Sequence, residues 1–310
     1  MSTRATDRRF LVALPVRNGG DYVKSCIASV LAQTHAGFRL IVLDMEDSWR
    51  RVVGLDADEE FLTIIGHDDL LDPQFLARMA ALIDARPDAA LYTSRFRLID
   101  ARGRTIRSSV PIPALERRNE FLAARLDLRR DSFGTGYVCR LADYRRLGGI
   151  PAYPKLMFAD DALWLALMGA SCKACEPRES FSYRLHAAST SGSPPWRPTF
   201  AALNAYLDLL FGYAATDEAV ARALREGIVG YLSFWSRWGS YTATVPEDER
   251  SQIKAAIDSL PVRVRAALGS ETADRVDARL RSDLQSALPR LRWFLWRIGQ
   301  ALRMRARGYG

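Results

Sequence analysis

Apolar residues in the first part of the chain form short continuous runs separated by stretches with helical spacing. The runs at 10–16, 38–44 and 61–65 are rich in β-branched and aromatic residues, as in strands that are buried on both faces. Between the first two runs, apolar positions recur at helical intervals over 22–31. A strand, a helix and a strand in immediate succession predict a βαβ unit and therefore a parallel sheet.

Helical periodicity dominates the last third of the chain. After a further strand pattern at 89–94 and a glycine-containing loop that enters a strand within 133–140, the apolar spacing from residue 196 onward is that of helices. We therefore predict an α/β domain over residues 1–195, with a mainly parallel sheet flanked by helices. Residues 196–310 are predicted to form an all-α C-terminal region that contains no chemical motif.

The final segment, Leu288–Arg307, predicts a basic amphipathic helix. Its leucines, Phe294 and Ile298 fall on one face, and most of its arginines fall on the other. This pattern is typical of a helix lying in a membrane interface, with arginines facing anionic head groups. The alternative is a helix packed on the protein with a solvated basic face. Nucleic acid is not an expected partner, because no nucleic-acid-binding module accompanies the charge.

Composition and charge limit the class of protein. The chain has 310 residues, of which 48% are hydrophobic and 26% charged, as in a folded globular protein. It has no apolar run of about 18 residues, and its first nine residues are polar. We expect a cytoplasmic protein, with peripheral contact to the cytoplasmic face of the inner membrane through the Leu288–Arg307 helix.

Carboxylates follow two of the predicted parallel strands. Asp44 ends the second strand, and Asp68 and Asp69 follow the strand at 61–65. The carboxyl ends of parallel strands meet at one edge of the sheet, which is where ligands bind in open α/β folds. Adjacent carboxylates repel each other unless a cation lies between them, so this edge predicts a divalent metal with a phosphorylated ligand. Asp72, followed by Pro73, is explained more simply as the start of a helix.

A second pair of acids, Asp160 and Asp161, precedes an apolar helix pattern. One carboxylate is enough to cap that helix. The other is then a candidate general base, although a capping role alone stays open at this point.

These motifs together resemble family-2 glycosyltransferases, which have the GT-A fold. The resemblance covers roughly residues 9–192 and depends on five motifs in the same order as in that family. They are Pro15-Val16-Arg17-Asn18, Ser29-Val30-Leu31-Ala32-Gln33-Thr34, His67-Asp68-Asp69, Phe158-Ala159-Asp160-Asp161 and Tyr183-Arg184-Leu185-His186.

The resemblance implies sugar transfer with inversion from a nucleotide-diphosphate sugar to the hydroxyl of a glycan or lipid-linked acceptor, as in bacterial surface polysaccharide synthesis. It implies that Asp68 and Asp69 approach Mg²⁺ or Mn²⁺ at the diphosphate, with Asp69 the preferred direct ligand. Asp161, in the pair with Asp160, takes the acceptor proton. The residues that it assigns to the sugar donor are Pro15, Val16, Arg17, Asn18, Asp44 and Asp68.

The sequence departs from the family between Asp44 and His67. This interval is too short for the nucleotide loop, helix and strand that the family has there. The gap predicts the loss of one strand and of part of the wall that binds the base. Two alternatives therefore stay open: a non-catalytic GT-A scaffold or partner protein, and another nucleotide-using α/β enzyme such as a nucleotidyltransferase.

Overall fold

The computed structural model describes residues 9–16, 20–44, 48–186, 196–241 and 247–285. Its contacts divide the chain into two units. The sheet unit comprises 1–118, 131–152 and 159–186, and the helical unit comprises 119–130, 153–158 and 187–310. The helical unit includes two short segments from within the first 195 residues, 119–130 and 153–158. The predicted domain boundary between residues 195 and 196 therefore stays a prediction.

The sheet unit is built on one sheet, which has nine strands among the described residues. They are β1 (Phe10–Val16), β2 (Phe38–Asp44), β3 (Phe61–Ile64), β4 (Leu70–Leu71), β5 (Leu91–Ile99), β6 (Thr105–Ser108), β7 (Leu115–Arg117), β8 (Tyr137–Arg140) and β9 (Cys172–Arg184). Their order is β2-β1-β3-β8-β5-β9-β4, with β6 paired to β5 and β7 to β9. The pairings give β1, β2, β3, β5 and β9 one common direction.

Helices account for most of the other described residues. They are α1 (Tyr22–Leu31), α2 (Ser48–Arg51), α3 (Phe75–Ala85), α4 (Arg118–Leu126), α5 (Leu141–Arg146), α6 (Ala159–Met168), α7 (Trp196–Ala214), α8 (Glu218–Tyr241), α9 (Glu247–Leu268) and α10 (Ser270–Gln285). The predicted α/β class and all-α C-terminal region are confirmed. None of the described helices combines the length and apolar character needed to cross a membrane. The predicted Leu288–Arg307 helix lies outside the described residues.

The core of the sheet unit is formed by the apolar strand and helix positions that the sequence pattern predicts. Alternate residues of β1, beginning with Phe10 and Val12, pack with Cys26 and Val30 of α1 and with Phe75 of α3, and all five are fully buried. The intervening β1 residues are buried as well. A strand buried on both faces therefore lies inside the sheet, as its continuous apolar run predicts.

The parallel register brings the predicted acids to one edge. Val16, the last residue of β1, lies opposite Asp44 of β2, and Ala13 lies opposite Ile64 of β3. The carboxyl ends of β1, β2 and β3 therefore converge, as predicted. Among the described strands, none pairs with the outer edge of β2.

The start of α3 differs from the prediction. Leu70 and Leu71 pair with β9, which keeps the chain extended. Asp72 Oδ1 then accepts a hydrogen bond from the Gln74 backbone N–H at 3.1 Å, and the helix begins only at Phe75. Asp72 thus stabilises the turn that precedes the helix, while Gln74 occupies the cap position.

A fully buried ion pair joins β7 to β9. Lys173 Nζ lies 2.6 Å from Glu116 Oε2, and the two side chains are 0% and 2% exposed. We expect Lys173→Met to lower the free energy of unfolding by about 3–5 kcal/mol, because Glu116 keeps a buried charge without its partner. Urea unfolding measures this change.

The double variant Lys173→Met/Glu116→Leu should recover most of that stability, because no uncompensated charge remains. Arg9→Met, which breaks the exposed Arg9–Asp58 pair, is the matched control and should have little effect. A Lys173→Met protein as stable as Arg9→Met would contradict the expected role of the buried pair.

Candidate functional site

The acid pair after β3 is packed against a glycine that cannot be replaced without movement. A Cβ atom on Gly66 would lie 2.8 Å from Asp69 Oδ2 and 3.0 Å from Asp68 Oδ1. Both distances are shorter than ordinary contacts, so only glycine allows the two carboxylates to fold back toward the end of the strand.

Both carboxylate oxygens of Asp69 accept hydrogen bonds within the sheet unit. Its Oδ1 accepts the backbone N–H of Arg184 at 2.9 Å, and its Oδ2 accepts the hydroxyl of Thr135 at 2.8 Å. The residue is 1% exposed. Burial raises the pKa of its carboxyl well above the usual value, the charge of Asp68 raises it further, and the two hydrogen bonds oppose the shift. Asp69 thus ties β3 to the end of β9 and to the loop before β8.

Asp68 faces the more open side of the acid pair. Its Oδ2 lies 2.8 Å from His186 Nε2, and the two side chains are 21% and 14% exposed. Arg184 donates through Nε to the Asp68 carbonyl at 2.7 Å and lies 4.6 Å over the Tyr22 ring. The sequence analysis assigned no role to His186, although the Tyr-Arg-Leu-His motif was the signal for it. The structure brings this histidine to the acid pair across 118 residues.

The supporting loop, residues 133–136 before β8, is held in place by aromatic packing. Phe133 stacks on Tyr183 at 3.6 Å with an interplanar angle of 8°, and its carbonyl accepts the Trp164 indole N–H. Gly136 has φ +75°, and a Cβ there would lie 2.6 Å from the Phe181 ring. This packing fixes the loop that holds Asp69 through Thr135.

The second acid pair lies in the first turn of α6. Asp160 Oδ1 accepts the backbone N–H of Asp161 at 2.9 Å, so one acid satisfies an N–H of this turn. Asp161 is 1% exposed, whereas Asp160 is half-buried. A Cβ on Gly134 would lie 3.8 Å from Asp160 Cβ and 3.5 Å from the Trp49 ring. Gly134 of the loop before β8 therefore lies beside both Asp160 and the Trp49 indole of α2, and the sequence did not indicate this position for Trp49.

The other predicted sugar-donor residues lie at the same edge of the sheet or outside the described residues. Pro15 and Val16 end β1 and are buried, and the backbone of Asp44 lies beside them. Arg17 and Asn18 fall outside the described residues. Their assignments to the nucleotide stay predictions.

The residues at this edge fit a divalent ion that also binds phosphate oxygens. Within the described residues, no three side chains of the metal-binding types group into a complete site. Mg²⁺ and related ions are often held by only one or two protein ligands plus substrate phosphates. Asp68 Oδ2 and His186 Nε2 lie 2.8 Å apart in a hydrogen-bonded pair, so the two side chains are close enough to contribute ligands to one ion. Carboxylate oxygens suit Mn²⁺, and the neutral imidazole of histidine is a common metal ligand.

The sequence matches no protein-family model and no curated protein, but its fold is shared with solved structures of TarS from S. aureus, a GT-A-like glycosyltransferase. The chain aligns with TarS 1–349 in complex with UDP-GlcNAc at a TM-score of 0.64 and 15% identity, covering 89% of this chain and 92% of that one. TarS 1–349 without a ligand aligns at a TM-score of 0.61 and 14% identity, covering 89% of this chain and 91% of that one. The TarS complex with UDP aligns at a TM-score of 0.60 and 15% identity, with the same coverage of both chains. The chain therefore has the GT-A glycosyltransferase fold.

Proposed function

We propose that this protein is an inverting glycosyltransferase that moves a sugar from a nucleotide-diphosphate sugar to a hydroxyl acceptor. The observation that carries the proposal is the edge of the sheet where β1, β2 and β3 end. There, the open Asp68–His186 pair lies on a fold shared with a protein that binds UDP-GlcNAc. The supporting loop connects this edge to the second acid pair.

Asp68 and His186 would hold Mg²⁺ or Mn²⁺, and Asp69 would keep Asp68 in place. When bound, the metal stabilises the negative charge that develops on the departing diphosphate. Asp69 already uses both oxygens in hydrogen bonds and is buried, so the geometry favours Asp68 as the direct ligand. The preference for Asp69 derived from the resemblance stays a prediction.

Asp161 would act as the general base. The acceptor oxygen forms the new bond to the anomeric carbon as its proton passes to the Asp161 carboxylate, and the bond to the nucleoside diphosphate breaks with its electron pair. A single displacement of this kind inverts the anomeric configuration. The loop at Phe133 and Gly134, which lies beside Asp160 and the Trp49 indole, would help to hold the reactants in line.

The acceptor is proposed to be a glycan or a lipid-linked glycan precursor of bacterial surface polysaccharide. The basic amphipathic pattern of Leu288–Arg307 supports an acceptor that is held at the cytoplasmic face of the membrane. This part of the proposal depends on the sequence pattern alone.

The second candidate function is a non-catalytic GT-A scaffold. It is favoured by the outer edge of β2, with which no described strand pairs, because the family would place part of its nucleotide site beyond that strand. A scaffold of this kind would bind a protein partner and would not turn over a nucleotide sugar.

Release of nucleoside diphosphate from a panel of nucleotide sugars distinguishes these functions. UDP-GlcNAc, UDP-glucose and GDP-mannose would each be incubated with the protein and Mn²⁺, with mass spectrometry of the products. The enzyme is expected to hydrolyse at least one of them slowly, with water replacing the acceptor. No release above the Asp161→Asn background from any sugar donor would favour the scaffold.

A further inference from the structure

The segment before the second acid pair is strained. Among the described residues, four that are not glycine have a positive φ, and three of these lie close together: Lys155 (56°), Leu156 (54°) and Phe158 (61°). Side chains are disfavoured in the left-handed region because Cβ approaches the neighbouring carbonyl oxygen. Such a cluster persists only where surrounding contacts impose it, and strain of this kind concentrates at functional sites.

An aromatic cluster of the helical unit imposes this backbone. Phe158 is 6% exposed and stacks on Tyr206 with ring centres 5.5 Å apart and an interplanar angle of 6°. Trp235 meets the same ring edge-on at 4.7 Å. Tyr153 also donates its hydroxyl to the Ala205 carbonyl at 3.3 Å. Both ends of the strained segment are therefore fixed to α7 or α8.

The strained segment continues directly into the acid pair. Phe158 is followed by Ala159, the first residue of α6, and then by Asp160 and Asp161. The φ and ψ angles of 155–158 consequently set the direction in which the first turn of α6 begins.

We propose that Phe158 is a positioning residue: the aromatic cluster holds Lys155, Leu156 and Phe158 in their left-handed conformation, and this backbone sets the position of the Asp160–Asp161 turn. The inference rests on the proposed function, since it assigns a catalytic consequence to that turn. It predicts that relaxing the segment harms turnover without harming the fold.

Glycine substitutions test the proposal, because glycine adopts a positive φ freely and also allows other conformations. Lys155→Gly and Leu156→Gly should each leave the melting temperature within a few degrees of wild type. Each should lower kcat by about 10-fold or more while the KM for the nucleotide sugar stays within about 2-fold, because the base is misplaced and the sugar-donor site is not. Lys155→Gly removes a charge and Leu156→Gly does not, so a loss of kcat in both variants would be caused by the change in backbone conformation.

Leu128→Gly is the matched control. Leu128 also belongs to the helical unit, has φ 57° and is exposed, and it lies far from the acid pair along the chain. Its kcat should equal that of the wild type. Equal kcat values for Lys155→Gly, Leu156→Gly and Leu128→Gly would overturn the proposal.

Hydrogen exchange separates failure of this inference from failure of the proposed function. In an α-helix, the amides of 163–166 bond to the carbonyls of 159–162, so their exchange reports the order of the first turn of α6. They should exchange about 10-fold faster in Leu156→Gly than in Leu128→Gly, whether or not the wild type turns over a nucleotide sugar. Unchanged exchange would overturn the positioning role even in an active enzyme.

Discussion

Replacing Asp161 with asparagine is expected to lower kcat by about 10²–10⁴-fold, the usual contribution of a general base. Asparagine keeps the shape of the side chain but cannot take the acceptor proton. The residue is buried in the first turn of α6, so an isosteric change preserves its packing. Donor affinity should stay nearly unchanged, because the proposed metal and diphosphate site is formed by other residues, Asp68 and His186.

Asp160→Asn is the matched comparison for this prediction. Asp160 uses Oδ1 to accept the Asp161 backbone N–H, a contact that the asparagine oxygen can retain. Steady-state kinetics on both variants should show less than about a 10-fold loss for Asp160→Asn. A larger loss for Asp160→Asn than for Asp161→Asn would assign the base to Asp160.

Asp68→Asn is expected to weaken binding of the nucleotide sugar, whereas Asp69→Ala is expected to lower stability. Asp68→Asn should lower the Mn²⁺-dependent affinity for a nucleotide sugar by at least about 10-fold with little change in stability, because it removes a charged ligand on the more open side. Asp69→Ala should lower the free energy of unfolding by about 1–3 kcal/mol for each hydrogen-bond donor left unsatisfied. Those donors are the Arg184 N–H and the Thr135 hydroxyl.

Calorimetric titration and urea unfolding on both variants measure these two effects. If Asp69→Ala proved as stable as wild type but lost Mn²⁺-dependent binding, Asp69 would be the direct ligand, as the sequence resemblance suggested. Loss of stability in Asp68→Asn would instead indicate that the Asp68–His186 pair is structural.

The residues that lie at this edge of the sheet could be predicted from the sequence, because each strand is identified by its own local run of apolar residues. The runs at 10–16, 38–44 and 61–65 each identify a buried strand, and parallel pairing then places Asp44 beside Val16 without further information. The Asp68-Asp69 and Asp160-Asp161 pairs were visible because adjacent acids at the ends of elements have few purely structural explanations.

The different roles of Asp68 and Asp69 could not be predicted, because they depend on contacts between residues that are distant in the sequence. Thr135 reaches Asp69 across 66 residues, and the Arg184 backbone reaches it across 115. Nothing in the local sequence distinguishes Asp69 from Asp68 until those partners are known. The left-handed angles of Lys155, Leu156 and Phe158 could not be predicted either, since Lys, Leu and Phe are not residues that indicate a positive φ.

The central claim is that the edge formed by β1, β2 and β3 is a metal-dependent nucleotide-sugar site. Isothermal titration of the wild-type protein with UDP-GlcNAc and with GDP-mannose, each with Mn²⁺ and with EDTA, tests it most directly. We predict saturable binding of at least one sugar donor that requires Mn²⁺ and is weakened by Asp68→Asn. Binding of neither sugar donor under either condition would contradict the claim, as would binding that is indifferent to both Mn²⁺ and Asp68.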